Sequence, residues 1–235
     1  GDGSTGGPVI DPRVKSGQAH AVEPDRRLTA QGLERKQQLI DCAAVLFAER
    51  GYAETRVIDI VRAAGVAKGL FYWYFENKEA LFKELAGSIR LQLRRKQGEV
   101  LEPEALPLVN LYRGAEASVL FMAENAHFFS LLEVEGPNFT EVLRQGTRQH
   151  IDDMIRIVKA GQAHGSIRED DPRLLAVGVV ASVGQYSHFH RTGRIRIPLT
   201  ELAAFVARYV VHSLAADDHA RDEALRTVHA LSPAS

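Results

Sequence analysis

From Thr29 onward the apolar residues recur at helical spacing, and the gaps in that rhythm are marked by glycine and proline. Leu33, Ile40, Ala43, Ala44 and Phe47 form one line, widened by Leu39, Cys42 and Leu46 into a stripe that one side of a helix can bury. The alternation of a half-buried strand is matched only by Arg194-Ile195-Arg196-Ile197, and Pro198 ends it at once. The pattern predicts an all-α chain. At 235 residues it is long enough to bury a core without staples, and its single cysteine, Cys42, permits no intrachain disulfide. The longest apolar run, Leu174 to Val183, is about half of the roughly 20 residues that cross a bilayer. A soluble protein of the reducing cytoplasm is expected, with no membrane segment.

Gly, Pro and polar residues dominate 1–27, which reads as a disordered N-terminal arm. Its Arg26 and Arg27 have the chemistry to enter a DNA minor groove, although a solvated tail is the commoner role for such residues. Four helices are expected in 28–98. Gly51 ends the first; Thr55 caps a short second helix carrying Val57, Ile60, Val61 and Ala64; Gly65 closes that one; and Asn77 opens a long fourth helix with Leu81, Phe82, Leu85, Ile89 and Leu93 on one side. Two prolines, Pro103 and Pro107, interrupt the pattern and mark a boundary. A second helical domain spans 106–216, with helices near 107–125, 127–134, 139–163, 172–190 and 199–215, and 217–235 reads as a C-terminal tail.

Whole-chain charge is −1, which argues against a nucleic-acid partner until the chain is divided. Residues 26–96 hold 14 Lys and Arg against 8 Asp and Glu, whereas residues 101–235 hold 13 against 17. The first part is net +6 and the second −4, as for a basic binding module joined to an acidic partner domain.

The basic part contains a helix ending in Ala63-Ala64-Gly65-Val66 and followed immediately by another, the geometry of a helix-turn-helix. Phe71 and Phe75, four apart, share the buried face of the second helix, leaving Lys68, Gly69, Tyr72, Trp73 and Tyr74 as donors and rings for the exposed side. The run Thr55 to Leu81, with Phe47-Ala48-Glu49-Arg50-Gly51-Tyr52 before it, closely resembles the DNA-binding domain of TetR-family repressors. That resemblance covers about residues 33–90. It implies a homodimer whose two N-terminal domains enter successive major grooves of a near-palindromic double-stranded DNA operator, with a small-molecule effector bound in the C-terminal domain.

By the same resemblance, Thr55 caps the first motif helix against a phosphate and Arg56 adds a charged contact beside it. Lys68, Gly69 and Leu70 fall at the base-facing start of the recognition helix. Tyr72 and Tyr74 touch the DNA backbone, and Lys78 matches a phosphate-binding lysine. Leu70 departs from the usual hydroxyl residue and offers an apolar surface suited to a thymine methyl. Trp73, where a histidine or tyrosine is common, either packs or touches the sugar-phosphate edge.

In the second domain the inward-facing positions are rich in aromatic and soft side chains: Tyr112, Phe121, Met122, Phe128, Phe129, Phe139 and Met154, joined by Tyr186. Core packing is the ordinary use of such residues; in a TetR-like protein they line the effector cavity and suit an apolar or acyl ligand. Arg113, Arg144 and Arg148 are candidates for a carboxylate or phosphate head. Gly178 and Ser182, small residues on one late helix, permit close helix approach; the TetR resemblance implies that this helix and the next, which carries Phe205 and Tyr209, form the dimer interface.

No metal or other cofactor is expected. Asp170-Asp171-Pro172 reads as a helix cap followed by proline at the first helical position, and His188 and His190, two apart, point to different sides of a helix. Enzymes are the main rival class. The chain has no Gly-x-Ser-x-Gly, P-loop or His-Glu-x-x-His, its one Gly-x-Gly-x-x-Gly (Gly1 to Gly6) falls in the Gly- and Pro-rich arm and not at a strand-to-helix turn, and Cys42 lies in a buried stripe. A helical protein-interaction module is the other rival, but it has no need of Lys68, Tyr72, Tyr74 and Lys78 on one exposed edge.

Overall fold

A computed structural model describes residues 29–135 and 140–231, with backbone only for 134, 135, 140–145 and 231. The helices among them are α1 (Ala30–Arg50), α2 (Val57–Ala63), α3 (Lys68–Tyr74), α4 (Lys78–Val100), α5 (Pro107–Glu124), α6 (Ala126–Glu135), α7 (Thr140–His164), α8 (Pro172–Arg191), α9 (Leu199–Leu214) and α10 (Asp218–Leu231). The fold is all-α; the β pairing among the described residues is one isolated bridge, Ile167 to Ala215. The segment 194–197 is irregular rather than a strand. The arm 1–27 lies outside the described residues, as does Phe139.

Local chemistry sets the start of several helices. Thr29 accepts from the Gly32 amide to start α1, Asn77 accepts from the Ala80 amide to start α4, and Asp171 accepts from the Arg173 amide just before Pro172 opens α8. Between α2 and α3 the turn passes through Gly65 at φ 64°, a left-handed conformation that a Cβ disfavours, so a glycine there sets the angle of the hairpin.

Two cores result. The first joins α1 to α4 through Leu39, Phe47, Ile60, Phe71, Leu81 and Phe82, and it extends to Phe121 of α5 and Leu131 of α6. The rings of Phe82 and Phe128 stack with centroids 6.4 Å apart, so α5 and α6 brace the basic domain rather than standing clear of it. The second core gathers α5, α7, α8, α9 and α10 around Val109, Val158, Val179, Val206 and Ala224.

One expectation needs correction: the C-terminal tail is largely helix. Asp217 accepts from the Ala220 amide to start α10, which buries Ala224 completely and sets Ala220, Leu225 and Val228 against the second core. Its apolar residues, Ala220, Ala224, Leu225 and Val228, recur at helical spacing on one face.

Candidate nucleic-acid interface and effector cavity

The helix-turn-helix is held by side chains from α1 and α4. Gln38 donates from its Nε2 to the Ala64 carbonyl at 3.0 Å, capping the end of α2, and Lys36 pairs with Glu84 at 2.6 Å. Phe71 and Phe75 are buried under α3, which turns Lys68, Gly69, Tyr72 and Trp73 outward. Tyr72 and Trp73 remain 51% and 53% exposed, neighbouring rings on the outward side of α3. The Lys68 ammonium lies 5.8 Å from the Tyr72 ring centroid, and Trp73 meets Tyr74 edge-on at 4.6 Å. Leu70 and Tyr74 are half-buried.

Two residues expected at this surface are engaged elsewhere. Thr55 is fully buried; its hydroxyl donates to the Gly51 carbonyl at 2.8 Å and lies 3.3 Å from that of Leu46, so it ties off the end of α1 instead of capping α2. The α2 cap position belongs to Arg56, whose amide donates to Asp59 at 3.0 Å while its exposed guanidinium pairs with the same carboxylate. Those hydrogen bonds hold the Asp59 carboxyl below its usual pKa. Lys78 turns its ammonium onto the loop between α1 and α2, donating to the Tyr52 carbonyl at 2.5 Å and the Thr55 carbonyl at 2.8 Å.

Two apolar hollows of about 300 and 220 Å³ lie behind this domain. Ser118 of α5, His150 of α7, and Val180 and Val183 of α8 line both and form the waist between them. The larger lobe is walled by Leu101, Pro107, Leu111, Met154 and Ile157; the smaller by Ile89, Leu93, Met122, Phe128, Phe129 and Leu132. Gln97 of α4 donates to Ser118 at 2.9 Å, placing a polar link at the waist. Burial pushes the His150 imidazole below its usual pKa and Arg94 acts the same way, while Asp153 opposes them. Together the lobes reach the size range of small-molecule sites.

A face of α8 and α9 points away from both cores. Leu174, Val177, Phe205 and Tyr209 are exposed there, with Gly178 and Ser182 among them. Tyr186 packs edge-on against Phe205 and Tyr209, with centroids 5.6 and 5.9 Å away.

Residues 39–85 match the family model described as "Bacterial regulatory proteins, tetR family". The transcriptional repressor DhaR of Mycobacterium sp. (strain GP1) is 31% identical over 153 residues, covering 63% of this chain and 77% of DhaR. The chain belongs to the TetR family of transcriptional regulators. Solved structures agree in fold. SmeT, repressor of the Stenotrophomonas maltophilia multidrug efflux pump SmeDEF, superposes with TM-score 0.67 at 21% identity over 79% of this chain and 92% of its own. The fatty acid degradation regulator FadR of Bacillus halodurans gives 0.63 at 22% identity over 75% and 94%.

Within this TetR-family framework the residues expected at the cavity divide. Met122, Phe128, Phe129 and Met154 line it. Tyr112, Phe121 and Tyr186 do not: Tyr112 sits in the second core beside Arg208, with burial and Glu116 pushing its phenol pKa up; Phe121 belongs to the first core; and Tyr186 packs against the outer face of α9. Among the candidate head-binding arginines, Arg113 pairs with Glu102 at 2.9 Å, Arg148 is exposed outside both lobes, and the Arg144 side chain lies outside the described residues. His188 pairs with Glu133 at 2.9 Å and His190 lies 3.0 Å from the Ile197 carbonyl, so the two rings serve separate partners. Among the described residues no group of three or more His, Cys, Asp or Glu could hold a metal, and no helix is long and apolar enough to cross a membrane. Gln38, Arg90, Gln97, Ser118 and His150 carry no periodicity signal, because each matters through contacts between distant helices.

Proposed function

We propose that this chain is a cytoplasmic repressor that binds a near-palindromic double-stranded DNA operator as a homodimer and releases it when a small apolar or acyl-type molecule fills the cavity. The carrying observation is the placement of α4. Asn77 caps it three residues beyond the end of α3, and farther along Ala86, Ile89, Leu93 and Gln97 wall the cavity. A molecule entering either lobe displaces a helix joined to the recognition helix by a link of three residues, 75–77. Half-sites one helical turn apart lie about 34–36 Å from each other, so a tilt of α4 in both protomers changes a spacing the duplex does not tolerate.

Lys68, Gly69, Leu70, Tyr72 and Trp73 contact DNA in this reading, with Tyr74 and Arg56 at the edge, and Lys78 and Thr55 shape the loop that presents them. Dimerisation covers the α8/α9 face through Gly178, Ser182, Phe205 and Tyr209, removing an apolar patch from water. No metal, cofactor or catalytic step is invoked. Selection of bound DNA from a random pool gives the operator, and mass spectrometry of molecules retained by the purified protein gives effector candidates. Operator affinity is then measured with and without each one. Weaker binding with ligand supports the reading, and unchanged affinity for every molecule that occupies the cavity rejects it.

A further inference from the structure

The smaller lobe is lined mainly by apolar side chains, and the one charged side chain on its wall is Arg90. Arg90 of α4 lines it and also lines an adjoining polar groove of about 190 Å³ bounded by Arg94, Gln149 and Asp153. Asp153 is already engaged by Arg94 and Arg156, leaving a cationic excess at this mouth. Arg90 is half-buried and has no hydrogen bond or carboxylate partner among the described residues. Its guanidinium crosses the backbone of α7 at Gly146, where a Cβ would stand 2.7 Å from Nη1 and 3.0 Å from Cδ. A partly desolvated guanidinium at the rim of an apolar cavity presents a fork of donors suited to a carboxylate.

Resting on the reading that the cavity takes an effector, we propose that the effector is an elongated amphipathic carboxylate. Its head pairs with Arg90 between α4 and α7, and its chain runs past Ser118 and His150 into the lobe between α5, α7 and α8. Arg90 of α4 and Leu101, the residue just past its end, stand at opposite ends of this path and are eleven residues apart. At 1.5 Å per residue that is ~16 Å, the reach of an extended chain of roughly a dozen carbons joined by bonds of about 1.5 Å. The waist residues are uncharged or, for His150, pushed toward the neutral form, so an alkyl chain passes them without stranding a charge.

Dodecanoate and its neutral twin dodecanamide test this by calorimetric titration of the whole protein below micelle-forming concentrations. Wild type is expected to bind dodecanoate at least tenfold more tightly than dodecanamide. Arg90→Gln removes that preference while leaving dodecanamide affinity within about twofold. Gly146→Ala, which keeps the charge but displaces the guanidinium, lowers the preference as well, whereas Arg94→Gln at the paired arginine leaves it intact. Comparable dodecanamide affinity in all variants shows that the cavity survives the substitutions. Equal binding of both probes by wild type, or a preference retained in Arg90→Gln, overturns the carboxylate head but leaves an apolar effector cavity standing; failure of both probes to bind wild type overturns both.

Discussion

The Lys78 ammonium is held 2.5 Å from the Tyr52 carbonyl and 4.0 Å from the centroid of the Tyr52 ring, joining the start of α4 to the loop before α2 across 26 residues of sequence. Lys78 therefore acts on the shape of the DNA-reading unit. Lys78→Met, which keeps the aliphatic stem, is expected to cost about 1–2 kcal/mol, a fall of roughly 2–8 °C in Tm, and to weaken operator binding with it. Thermal unfolding decides the point: an unchanged Tm with lost operator affinity would make Lys78 a plain phosphate contact.

Lys68 and Tyr72 behave in the opposite way, because neither supports the core. Alanine at either position is expected to weaken operator binding by tenfold or more while Tm stays within about 1 °C, surface substitutions being nearly neutral in stability. If Lys68 meets a phosphate, its removal also lowers the slope of log affinity against log salt by about one; if it reads a base, the slope stays and sequence preference relaxes.

Phe205 and Tyr209 lie one turn apart on α9 with rings stacked at 6.5 Å, both exposed in the single chain. Arginine at both positions sets like charges against each other across a two-fold interface. Sedimentation should then report 25.9 kDa in place of twice that mass, with no loss of helical signal. A variant that remains dimeric at micromolar concentration would move the interface to another face.

Stability should depend on pH through His150. Burial holds its folded pKa below the ordinary value of about 6.5, so in acid the unfolded chain takes up a proton that the folded chain resists. The contribution is full above that ordinary value and is lost as pH falls through it toward the folded pKa. Urea midpoints from pH 8 to pH 5 should therefore drop more steeply for wild type than for His150→Gln. Parallel curves for the two proteins would place the imidazole in water.

Residues whose effect is local were readable from sequence. Gly51 and Gly65 ended helices, Pro107 and Pro172 began them, and Phe71 with Phe75 marked the buried side of α3, because backbone sterics and helical spacing act over a few positions. Thr55 and Lys78 stood at matching motif positions, yet their side chains are spent on carbonyls at the end of α1 and in the loop behind it. No spacing rule foretells that. In α10 the helical spacing of Ala220, Ala224, Leu225 and Val228 was there to be read, and α5 and α9 supply the surface that covers it.

By itself the sequence determined an all-helical chain, a helix-turn-helix with its exposed edge of Lys68, Tyr72 and Trp73, and its membership in a family of DNA-binding regulators. All of these rest on periodicity, turn chemistry and a long run of matched residues. Tertiary structure alone decided that Phe121 braces the first core, that Tyr186 packs against the outer face of α9, and that Arg90 meets Gly146 at the rim of an apolar cavity. Cavities arise where helices remote in sequence fail to fill the space between them, and that space exists only once the helices have packed.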